Sequence, residues 1–90
     1  MGLEVTRIKL LDCIKIRAAH KRFDVGVMVV LKDDKVEDVR ILGICIFPGI
    51  PTNTREPRNE EEKRALDMLA KIRKKEKILS LLGKEITLKD

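Results

Sequence analysis

Residues 24–47 read DVGVMVVLKDDKVEDVRILGICIF, and this stretch decides the fold. Val25, Val27, Val29 and Leu31 alternate with Gly26, Met28, Val30 and Lys32. After a charged turn, Val39 and Ile41 share one parity and Asp38 and Arg40 the other. β-Branched residues at period two signal strands, so the stretch predicts a hairpin. Pairing Val29 with Val39 and Val27 with Ile41 gathers the apolar residues on one side. It sets Asp38 and Arg40 opposite Val30 and Met28 on the other. A slip of one residue would mix Asp38 and Arg40 with the valines, which the hydrophobic pattern opposes. This register calls for an odd loop of about three residues. The Lys32-Asp33-Asp34-Lys35 turn has no Gly, which disfavours a two-residue primed turn. Pro48 cannot donate to a ladder, so the second strand ends at Phe47.

Outward from the hairpin, residues 3–18 form a third strand. Ile8, Leu10, Ile14 and Ile16 lie on one parity, Arg7, Lys9, Lys15 and Arg17 on the other. Asp12 falls on the apolar parity, and a bulge, bend or break is expected there. Residues 19–23 connect this strand to the hairpin. Residues 48–58, PGIPTNTREPR, hold all three prolines of the chain and form a stiffened loop.

The helical region spans 59–82. Asn59 is placed to cap it, with Glu62 three residues on and Glu60–Glu62 in the first turn. Ala65, Met68, Leu69, Ile72 and Leu79 make one stripe at helical spacing. Lys75 and Glu76 interrupt it, so the region is either one helix or two with the break near Arg73–Lys77. Gly83 suits the residue just past a helix end. Ile86 and Leu88 alternate within 84–89, a short edge strand. The expected architecture is α+β: an antiparallel meander of three to four strands, with a C-terminal helical region on one face.

The 90 residues make a single domain with one modest core. Charged residues are 39% of the chain and aromatics 2%, a balance that resembles thermophile proteins rich in surface ion pairs. No stretch reaches the roughly 20 apolar residues of a membrane span, and the N-terminus has no signal-peptide core, so a cytoplasmic protein is expected.

The net charge of +5 suits an anionic partner. Its most coherent expression is the basic strand face of Arg7, Lys9, Lys15 and Arg17, joined by Arg40 if the strands are adjacent. With Phe23 and Phe47 as the only aromatics, such a face would grip nucleic-acid backbone rather than stack on bases. Thr52, Asn53, Thr54 and Arg55 form a second, weaker anion candidate, against the plainer reading of local turn chemistry. Cys13 and Cys45 read as two small buried hydrophobes. With His20 they are the only soft ligands, and they lack paired spacing, so neither a metal nor a cofactor is implied.

The side of the hairpin away from the helix carries Met28, Val30, Leu42, Ile44 and Ile46. Five apolar side chains could make an exposed patch of the size that marks an interface. A homodimer through that patch is therefore expected, or a larger protein partner. The stretch VGVMVVLKDDKVEDVRILG also resembles the meander of lipoate–protein ligase accessory domains, within the SufE/NifU-like folds. That resemblance covers about a fifth of the chain. The family runs on into Gly-Asp-Phe-Phe, whereas here Gly43 is followed by Ile44, Cys45, Ile46 and Phe47, so no site residue is carried over. The sequence thus favours a non-catalytic binding module or accessory subunit that self-associates. A nucleic-acid-backbone binder is the alternative, and an accessory domain of a lipoate-ligase-like enzyme the third reading.

Overall fold

The alternating segments assemble into a five-stranded sheet of order β4-β3-β2-β1-β5 in a computed structural model that describes residues 7–89. The strands are β1 (Arg7–Ala18), β2 (Lys21–Lys32), β3 (Lys35–Cys45), β4 (Thr54–Arg55) and β5 (Glu85–Thr87). Two helices, α1 (Glu60–Ala70) and α2 (Lys75–Leu81), lie between β4 and β5 in the chain. The expected start of the first strand, residues 3–6, lies outside the described residues.

The meander of β1, β2 and β3 is antiparallel, with Val27 opposite Ile41 and Val29 opposite Val39 as the hydrophobic pattern requires. The expected three-residue loop is not what joins the hairpin. Lys32 pairs with Lys35, so Asp33 and Asp34 alone make the turn, at φ 53 and 61. Both sit in the left-handed region that Asp tolerates better than most residues. The odd register survives because Glu37 is skipped: Val30 faces Asp38 and Leu31 faces Val36. A β-bulge thus supplies the extra residue that the loop does not.

A second bulge has larger consequences. Gly26 faces Gly43 while Val27 faces Ile41, so Leu42 is skipped. Side-chain parity in β3 therefore reverses beyond Leu42. Gly43 accepts φ 137 there, and a Cβ on it would lie 2.8 Å from the Arg55 carbonyl of β4. Asp12, expected to break the first strand, does not. β1 is continuous, and Asp12 Oδ1 accepts the Cys13 N–H at 2.7 Å. The link between β1 and β2 is only Ala19 and His20, shorter than the expected 19–23.

Both helices pack on one face, here the inner face. Val25, Val27, Val29, Ile14, Ile16 and Ile44 meet Ala65, Leu69 and Ile78 in the core. Each such side chain contributes roughly 1.5–3 kcal/mol by leaving water. The Asn59 side chain caps α1 by accepting the Glu62 N–H at 2.9 Å. The helical region divides at residues 71–74, so the reading with two helices holds. Gly83, at φ 72, follows α2 and turns the chain into β5. β5 pairs parallel to β1, so the sheet is not wholly antiparallel as expected. The two helices carry the chain from β4 at one edge of the sheet to β5 at the other, and β5 runs in the direction of β1 and β3, opposite to β4. No helix among the described residues is long and apolar enough to cross a membrane.

Candidate interaction surfaces

Register places the expected basic residues on one face but in two groups, Arg7 and Lys9 toward one end of β1 and Lys15 and Arg17 toward the other, with buried Cys13 between them and β2 between β1 and Arg40. Arg7, Lys9, Lys15 and Arg17 of β1 share the outer face, the one away from the helices, with Met28 and Val30 of β2 and Arg40 of β3. Two of these cations have local partners. Arg7 reaches Glu37 at 3.4 Å, and Arg40 reaches Asp38 at 3.1 Å. Lys9, Lys15 and Arg17 are exposed and make no ion pair among the described residues. Arg22 joins them from β2, beside Glu85 at 4.0 Å.

The expected five-residue apolar patch is not a single surface. Met28 and Val30 remain on the outer face, half-buried, in a shallow hollow of about 500 Å³ with Lys9 and Arg40. Leu42 is the skipped residue and lines a separate groove of about 400 Å³ between β3 and α1, with Pro57 and Leu66. Ile44 is fully buried, opposite Val25 in the core. Ile46 lies past the end of β3, exposed. The bulge at Leu42 is the cause: it turns Ile44 to the inner face, where the helices cover it.

The middle of the outer face is roofed instead. Residues 46–53 leave β3, close on themselves through the Ile46 N–H to the Asn53 carbonyl at 2.8 Å, and return as β4. Buried Asp24 pins this loop by accepting the Gly49 N–H at 2.8 Å. The roof sits so low that a Cβ on Gly26 would lie 2.5 Å from the Pro51 carbonyl oxygen. Beneath it Cys13 and Cys45, from strands either side of β2, bring their Sγ atoms to 3.6 Å. Burial raises both thiol pKa values, that of Cys45 to about 12. A thiol held protonated is a poor nucleophile. His20 stands apart from them in the exposed β1–β2 turn.

The weaker anion candidate does not converge on a ligand. Asn53 is engaged through its backbone, and Thr54 Oγ1 donates to the Leu42 carbonyl at 3.4 Å. Thr52 is exposed on the loop. Arg55 donates both Nη atoms to Glu62, each at 2.8 Å. Glu62 also accepts the Arg58 N–H at 2.8 Å. The Arg55 bonds, against the opposing pull of burial, hold the Glu62 carboxyl down at about 2. This fork locks β4 to the start of α1. The available signal is a capping Asn with Glu three residues on, but a capping box makes the cap's own N–H the expected partner of that Glu.

Sequence reasoning missed one surface. Cys13, Lys15 and Arg17 bond Gly83, Lys84 and Leu88, so the outward backbone of β1 is satisfied from Cys13 onward. On the side away from β2, the stretch Arg7–Leu11 has no strand beside it among the described residues. Ile8, Leu10 and Leu11 are exposed there, at 52%, 43% and 39%. No protein-family model matches this chain, and neither a curated protein nor a solved structure matches it.

Proposed function

We propose that this protein is a binding module that works by association, first of all with itself, rather than by chemistry. The observation that carries the reading is the row of large apolar side chains left in water on β1: Ile8, Leu10 and Leu11. Exposed apolar surface beside a bare strand edge is the usual mark of an interface. The thiols and the Arg55–Glu62 pair are otherwise engaged. The two thiols are roofed and held protonated, and Arg55 and Glu62 are spent on each other. Light scattering on the eluting protein at micromolar to 100-micromolar concentration tests the reading. A mass of twice 10.3 kDa is expected. A monomer across that range would overturn it.

A second reading is favoured by a different observation: Lys9, Lys15 and Arg17 share the outer face, exposed and without carboxylate partners among the described residues. Such a face suits nucleic-acid backbone, with affinity that falls steeply with salt and little sequence preference. Titration with duplex DNA and RNA at two salt concentrations tests it. Charge reversal at Lys9, Lys15 and Arg17 should weaken binding alike for all sequences and flatten the salt slope. The third reading, an accessory domain of a lipoate-ligase-like enzyme, has only the hairpin resemblance behind it.

A further inference from the structure

We infer that the outer side of this molecule lies on an anionic lipid surface, with Phe47 and Ile50 of the roofing loop entering the bilayer interface and the cations on either side meeting lipid phosphates.

The loop holds large apolar side chains in water. Ile46, Phe47 and Ile50 are exposed at 46%, 55% and 44%. The loop is not free to fold them away. Its underside is fixed to the sheet, where Asp24 accepts the Gly49 N–H and the Pro51 carbonyl lies close over Gly26. Two successive turns close it from within. The Ile50 N–H donates to the Phe47 carbonyl at 3.2 Å, and the Asn53 N–H donates to the Ile50 carbonyl at 3.3 Å. Pro48 and Pro51 each fix a φ inside these turns. An apolar loop that is already rigid loses little freedom when it binds.

The cations flank this loop. On one side stand Lys15 and Arg17 of β1, with Arg22 of β2 directly opposite Arg17. Like charges directly opposite weaken a sheet, so an anion held over Arg17 and Arg22 relieves a repulsion present in the free protein. Ile46 and Pro48 line one cleft with Lys21 and Arg22, which sets the apolar loop beside this group. On the other side stand Arg7 and Lys9, with Arg40 beyond β2. Arg7, Arg22 and Arg40 each have a carboxylate within 4.0 Å, whereas Lys9, Lys15 and Arg17 have none among the described residues.

The order across the outer side is therefore cations, apolar loop, cations. A polyanion crossing that face would meet Phe47 and Ile50 where it needs charge. A lipid surface matches the order. Apolar side chains sink below the phosphates while lysine and arginine heads stay level with them. The helices occupy the opposite face, so this side is the one free to lie on a surface. The protein would rest on the bilayer and not cross it.

The chain has no Trp and no Tyr, so Phe47→Trp gives a single indole on the loop. The probes are vesicles of phosphatidylcholine alone and of phosphatidylcholine mixed with phosphatidylglycerol. The protein should sediment with the mixed vesicles and stay in solution with the neutral ones, and raised salt should release it. The emission of Phe47→Trp should shift to the blue on the mixed vesicles and be quenched by lipid brominated in its acyl chains. Phe47→Ser with Ile50→Ser should weaken binding about tenfold or more. Lys15→Glu with Arg17→Glu should weaken it by a similar factor, about tenfold or more. Slow thiol labelling of Cys13 and Cys45 checks that each variant keeps the loop in place. A wild-type protein that ignores the mixed vesicles would overturn the inference, and one that binds duplex DNA instead would assign the cations to nucleic acid. Vesicle binding that survives the loop pair but falls with Ile8→Ser would overturn the loop as the contact. So would an indole at position 47 that stays in water while the protein is bound.

Discussion

Cys13 and Cys45 hold their Sγ atoms 3.6 Å apart although β2 runs between their strands. Cys13 lies opposite Gly26 of β2, which faces Gly43 of β3, two residues before Cys45. A disulfide needs about 2.05 Å between sulfurs and close backbones, so bridging this pair would require β1 or β3 to move. Burial raises both pKa values, and the proline-rich loop shuts out reagent. Both thiols should react slowly with a thiol reagent in the folded protein and quickly in urea. Rapid labelling of native Cys45 would sink this account.

Gly26→Ala tests the roof. Its Cβ would sit 2.5 Å from the Pro51 carbonyl oxygen, a backbone atom that cannot turn aside. Overpacking of this sort costs roughly 1–3 kcal/mol. The variant should melt lower, and labelling of Cys13 and Cys45 should speed up because the loop lifts. Unchanged labelling in a folded variant would mean that the loop does not protect the thiols.

The Arg55–Glu62 fork should appear in the pH dependence of stability. The folded-state pKa of Glu62 lies near 2, below its ordinary 4.5. Its stabilisation is therefore fully present above about pH 4.5 and is lost as pH falls toward 2. Glu62→Gln should destabilise by about 3 kcal/mol at neutral pH, since it removes the carboxylate that balances a half-buried guanidinium. It should also flatten the stability curve between about pH 5 and 2, read by urea melts across that range. A curve as steep as that of the wild type would assign the acid sensitivity elsewhere.

The Asp33-Asp34 turn is a site for stabilisation. Both residues hold positive φ, which costs roughly 1–2 kcal/mol for a side chain with a Cβ. The double substitution Asp33→Asn with Asp34→Gly supplies the Asn-Gly pair that this turn prefers. A gain of about 1 kcal/mol is expected, or a melting temperature higher by about 4–8 °C. No gain would indicate that the carboxylates relieve the strain through contacts of their own.

Much of the fold was legible because it is written in local alternation. The valines at 25, 27 and 29 chose the face, and a face choice at period two settles the pairing with Val39 and Ile41. Asn59 and Gly83 did their expected work at helix ends, since capping involves only neighbours in the chain. The basic parity of β1 was legible for the same reason.

What only the tertiary structure decided were the events that break alternation or join distant residues. A bulge is one skipped residue with little compositional signature, yet the one at Leu42 moved Ile44 from an expected interface into the core. The burial gained by Ile44 beneath the helices is a non-local term, invisible to parity counted along β3. Likewise Arg55 finds Glu62 and Cys13 finds Cys45 only once the loop and strands have folded back. The outward edge of β1 at residues 7–11, unpaired among the described residues, belongs to this class as well. A sequence states that residues 7–11 form a strand; only the assembled sheet determines that β5 stops short of them, because β5 is brief and begins where α2 delivers the chain at Gly83.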